Sequence, residues 1–85
     1  MANKLVKMLD ARIRLIHAAS RLSEALGDLK DVSKTYRSAL EDHELLNLAD
    51  GRERLERELK YVDEVIKDLA ARIHEASAKV KVKHT

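Results

Sequence analysis

Between Leu55 and Val80 the apolar residues recur at alternating steps of four and three: Leu55, Leu59, Val62, Ile66, Leu69, Ile73, Ala76 and Val80. Such a row lies along one side of an α-helix and on both sides of a strand, so the pattern commits this half of the chain to a long amphipathic helix. Its alternation averages the 3.5-residue period of helices that pack along a seam. Acid-then-base pairs at i,i+4, Glu53 with Arg57, Glu56 with Lys60 and Asp63 with Lys67, occupy the positions between and suit a solvated helix face. Asp50 is placed to cap free backbone N–H groups, with Glu53 three residues later as in a capping box. A helix over about residues 51–80 is therefore expected, roughly 45 Å long at about 1.5 Å per residue.

The first half carries a second helical row: Leu5, Leu9, Ile13, Ile16, Ala19, Leu22, Leu26, Leu29, Val32, Tyr36 and Leu40. Its early steps of four rotate the apolar face relative to the regular stretch after Leu22, so the face drifts around the helix. Gly27 followed by Asp28 is the one internal break signal, Gly being favoured just past a helix end and Asp just before the next. The apolar spacing nevertheless runs through it, and a Gly inside a helix costs only about 1 kcal/mol relative to Ala. One helix over about residues 3–46 is the preferred reading, and a three-helix bundle broken at Gly27 the alternative. Asn47 to Gly51 is the most turn-like segment, which puts the bend at about 47–51, with Leu45, Leu46 and Leu48 closing it or forming a small docking patch.

Composition supports long helices. The chain has no Pro, Gly only at positions 27 and 51, and aromatic residues only at Tyr36 and Tyr61, so few points allow a sharp reversal. Eighty-five residues make one domain, 1–85, with a basic tail at about 81–85. The expected fold is all-α: a long antiparallel helical hairpin that self-associates into a four-helix bundle, because a lone hairpin leaves much apolar area wet. Leu55, Leu59, Val62, Ile66, Leu69 and Ile73 are the expected association and partner-binding residues.

Chemistry is sparse. Without Cys, disulfides, thiolate metal sites and thiol nucleophiles are excluded, which fits a reducing compartment such as the cytoplasm. Lys4, Lys7, Asp10, Arg12 and Arg14 interrupt each apolar stretch of the first twenty residues, so neither a signal peptide nor a membrane span is expected there. His17, His43, His74 and His84 include no i,i+4 pair, so no metal site is expected. There is no Gly-rich phosphate loop, no nucleophile elbow and no strand to carry either, and no cofactor is expected. His17 with Ser20 and Glu24 offers imidazole, hydroxyl and carboxylate on one face, as a solvated helix of this composition readily does. Arg12, Arg14 and Arg52 near the stripes are candidates to hold an anion in a pocket between helices, but an Arg at a stripe edge more often lays its stem on the core with its head in water.

The formal net charge is +2, from 17 basic and 15 acidic residues. The excess lies in the second half, where Arg52, Arg54, Arg57 and Lys60 gather at the expected helix start and Lys79, Lys81 and Lys83 in the tail. A basic helix start can sit on phosphates, yet Glu53, Glu56 and Glu58 interleave with the arginines and cancel most of the field. The lysines of the tail also suit the negative end of a helix dipole. The expectation from sequence is therefore a small non-enzymatic binding module, an adaptor, co-chaperone or inhibitor, that captures or masks a partner protein through its apolar helix faces. A homodimeric regulator touching nucleic acid through the basic residues is the alternative.

Overall fold

The computed structural model describes residues 2–84, with side-chain environments for residues 3–79. Helix α1 runs Ala2–Thr35, a single 3₁₀ turn follows over Arg37–Ala39, and α2 runs Asp42–His84. The two helices lie against each other as an antiparallel hairpin, so the all-helical hairpin read from the stripes is the architecture. Gly27 sits inside α1, with no positive φ at either glycine. The three-helix alternative is therefore overturned: the packed stripe on either side of Gly27 carries the helix through its weakest position.

The bend is not where Asn47 to Gly51 suggested. All of those residues lie within α2, and the chain reverses at Tyr36–Glu41. The helix thus begins at Asp42, and the bounds of about 3–46 and 51–80 give way to Ala2–Thr35 and Asp42–His84. The physical reason lies in the apolar register. Leu45 and Leu48 fall one heptad and more before Leu55 on the same face, and all three are half-buried. Extending the helix backward lets Leu45 and Leu48 pack, whereas a break at Gly51 would only relieve a propensity cost of about 1 kcal/mol.

The reversal itself uses neither glycine nor proline. The Tyr36 N–H donates to the Val32 carbonyl (3.0 Å), closing the last turn of α1, and Ala39 and Leu40 donate back to Tyr36 (2.9 Å) and Arg37 (3.3 Å). Leu40 then turns to extended backbone, φ −104° and ψ 143°. Glu41 caps α2: its N–H donates to Glu44 Oε1 (2.9 Å) while its carbonyl accepts from Leu45 N–H (3.0 Å). This is the reach-back arm of a capping box, made by Glu44 instead of Glu53, and Asp42 and Glu44 put negative charge at the positive end of the dipole.

Packing is confined to a seam. Met8, Leu69 and Ile73 are buried, with Leu5, Ala11, Leu15 and Ala76 against them, at the end of the hairpin away from the bend. Nearer the bend Leu22, Leu26, Leu29, Leu48, Leu55 and Leu59 are half-buried. The rod measures 66 × 16 × 15 Å with a radius of gyration of 19.1 Å, against about 12 Å for a compact domain of this length.

Candidate protein-docking faces

The N-terminal half of α1 carries two apolar rows side by side. Leu5, Met8, Ala11 and Leu15 face the seam, while Val6, Leu9, Ile13 and Ile16 stay exposed, at 62%, 40%, 54% and 42% of their full accessibility. The second row is spaced three, four, three, so its members form one face of α1 beside the packed one. Residues of this size are ordinarily withdrawn from water, and single exposed ones are unremarkable, but four in helical register make a patch. On α2, Tyr61 and Val65 lie one turn apart and are also exposed, and Leu46 stands out near the bend at 66%. Leu46 lines a shallow hollow with Arg37, Asp42 and Leu45.

This arrangement corrects the single drifting stripe read for the first half. Leu9, Ile13 and Ile16 do not join Leu5 and Leu22 in the seam; Met8 and Leu15 take those places. Helical geometry decides it, since Leu5, Met8, Leu15 and Leu22 keep the three-and-seven spacing that follows a partner helix, whereas repeated steps of four carry Leu9 and Ile13 off that line. The outer row was readable in the sequence once Val6 was set at its head.

The residues expected to bind a partner lie elsewhere. Leu69 and Ile73 are buried against Met8 of α1, and Leu55, Leu59, Val62 and Ile66 are half-buried. Their row is occupied largely within the hairpin. Arg52, Arg54, Arg57 and Lys60 are exposed, but they stand inside α2 and not at a helix start. The backbone N–H groups there are engaged in helix bonds and are not free for phosphates. Lys79 is exposed as well, whereas the side chains of Lys81 and Lys83 lie outside the described residues.

The charged surface is loosely paired. Among the described residues the ion pairs within 4 Å are Asp10 with Arg14 (3.2 Å) and Asp68 with Arg72 (3.9 Å), and His43 Nδ1 lies 3.3 Å from Glu41 Oε2. Glu53 with Arg57, Glu56 with Lys60 and Asp63 with Lys67 keep their spacing without closing, as exposed long side chains do when ordering them costs as much as the contact returns. Arg12 is half-buried and Arg14 is held by Asp10, while Arg52 lines an open depression with Ala49, Asp50, Glu53 and Glu56. Arg52 and Arg12 stand roughly 20 Å apart along the rod at about 1.5 Å per residue, so the three arginines do not converge on one anion. His17, Ser20 and Glu24 are all exposed.

At the start of α2, Glu41, His43 and Glu44 place ligand atoms within 4.8 Å of one another, all exposed. A search for paired histidines passes over this cluster. Its geometry follows from the cap, since Glu44 accepts the Glu41 N–H and Glu41 lies beside His43. Among the described residues no helix is long and apolar enough to cross a membrane. No protein family, curated protein or solved structure matches this chain.

Proposed function

We propose that the chain is a non-enzymatic helical binding module of the cytoplasm that captures or masks a helical protein surface with its apolar faces, as an adaptor, co-chaperone or inhibitor does. Self-association into a four-helix bundle is the simplest form of the same burial. The observation that carries the reading is the exposed row Val6, Leu9, Ile13 and Ile16 on a rod whose accessible surface is 7055 Å². A compact monomer of its mass exposes about 5,100 Å². The excess of roughly 1,900 Å² exceeds what one partner contributes to a standard interface, about 800 Å². An amphipathic helix laid along α1 would cover the row in the helix-in-groove manner, with anchors at three- and four-residue steps.

The test is a photo-crosslinking amino acid placed at position 13 and, as control, at the exposed polar position Lys30, in living cells. The expected result is a discrete covalent adduct at position 13 that is missing at position 30. If neither position, or both equally, give adducts, the apolar row is not a docking face and the reading fails.

A further inference from the structure

We infer that the occupant of the outer row of α1 is the same row of a second copy, packed antiparallel, with Leu9 of each copy against Ile13 of the other and Val6 against Ile16. The inference rests on the reading of that row as a docking face and names what docks. Its first support is the pattern itself. Spaced three, four, three, the row reads the same from either end, with its centre at position 11. A two-fold axis perpendicular to α1 at that centre therefore sets each row against the other reversed, with every position facing an apolar one, as an antiparallel isologous contact requires. The residue sizes agree: each cross-pair sets a β-branched side chain, Val6 or Ile13, against Ile16 or Leu9.

Area gives the second support. Each hairpin exposes about 1,900 Å² more than a compact protein of its mass, and a specific dimer of standard size withdraws about 800 Å² per partner. A second copy brings its own surplus to the contact, so one interface of standard size draws on both, taking up less than half of each.

Helix dipoles set the direction. A parallel pair would align the positive dipole ends of both α1 helices across an interhelical distance of about 8–10 Å, whereas the antiparallel pair sets the dipoles in opposition. Lys4 and Lys7 stay clear of the contact in either direction, because at about 100° per residue they lie on the far side of α1 from the outer row.

The experiment combines mass and cross-linking on the full chain. Light scattering should give about twice 9.7 kDa for the native protein, and Ile13→Asp should return the monomer mass with its helical circular dichroism retained. Leu9→Cys and Ile13→Cys, each a mild change, then test the register under oxidation. Mixed together, the two variants should give a covalent dimer of one chain of each, whereas either alone should give little, because like positions lie beyond the 4.4–6.8 Å Cα separation that a disulfide spans. Ready homodisulfides from each variant alone would show a parallel pair and overturn the inference. A native monomer would overturn it too. If the adduct formed at position 13 in cells then contains a different protein, the docking face stands and only its occupant has been misnamed.

Discussion

At the scale of single residues, the two glycines and one glutamate decide most of the local structure. A Cβ built on Gly27 or Gly51 meets nothing within 4 Å, and neither has a positive φ. Both are ordinary helix-interior positions that lack a side chain. Gly27→Ala and Gly51→Ala should therefore each stabilise the fold by up to about 1 kcal/mol, a rise of roughly 4–8 °C in Tm for a domain of this size. Thermal melts followed by circular dichroism check this, and a lowered Tm for either variant would mean that a neighbour approaches the glycine. Glu44→Ala acts oppositely, because it leaves the Glu41 N–H at the start of α2 without its 2.9 Å acceptor. A loss of about 0.5–1 kcal/mol is expected, whereas Glu53→Ala, at the cap that the sequence suggested, should change stability by a few tenths at most. Denaturant titration of the pair separates the two capping sites directly.

At the scale of elements, what was legible in the sequence was whatever follows from periodicity. Both helices, their antiparallel pairing and the passage of α1 through Gly27 follow from rows of apolar residues at helical steps. The bend was not legible because it uses no residue with special backbone freedom: Tyr36 to Glu41 reverse the chain in a 3₁₀ turn with every φ negative, while the residues that signal turns, Asn47 to Gly51, were absorbed by the longer stripe. The outer row of α1 was missed for a related reason. Two adjacent rows, one through Leu5, Met8 and Leu15 and one through Val6, Leu9, Ile13 and Ile16, blend into one drifting face when only the bulkiest residues are followed. The seam and the outer row respond differently to truncation. Met8→Ala or Ile73→Ala opens space in the only buried cluster of the described residues and should cost about 2–4 kcal/mol, toward the lower end of core truncations because a rod two helices thick can relax around the gap. Ile13→Ala leaves the seam intact and should cost the isolated hairpin under about 0.5 kcal/mol. Urea titrations at concentrations low enough to hold the chain monomeric would show the contrast, and equal losses would mean that the two rows share one core.

At the scale of the whole molecule, the shape states the physical problem that association solves. A rod of 66 × 16 × 15 Å in which, among the described residues, only Met8, Leu69 and Ile73 are buried withdraws roughly half of the surface that its unfolded chain would expose, about 14,000 Å², where a compact domain of this mass withdraws nearer two-thirds. Conformational entropy is lost in proportion to the residues ordered, not to the area buried, so an isolated hairpin of this kind stands close to the limit of stability. Burying the outer row against a second copy reduces that deficit for both chains, and it couples folding to association. Tm should then depend on protein concentration, rising by several degrees between micromolar and near-millimolar chain, because mass action adds the free energy of association to that of the folded hairpin. In Ile13→Asp, which puts a carboxylate at the centre of the contact, the dependence should vanish and Tm should fall to the value that the native chain approaches on dilution. A native Tm that stays constant across the whole range would show that the two-helix seam suffices alone and that the exposed row awaits a partner other than itself.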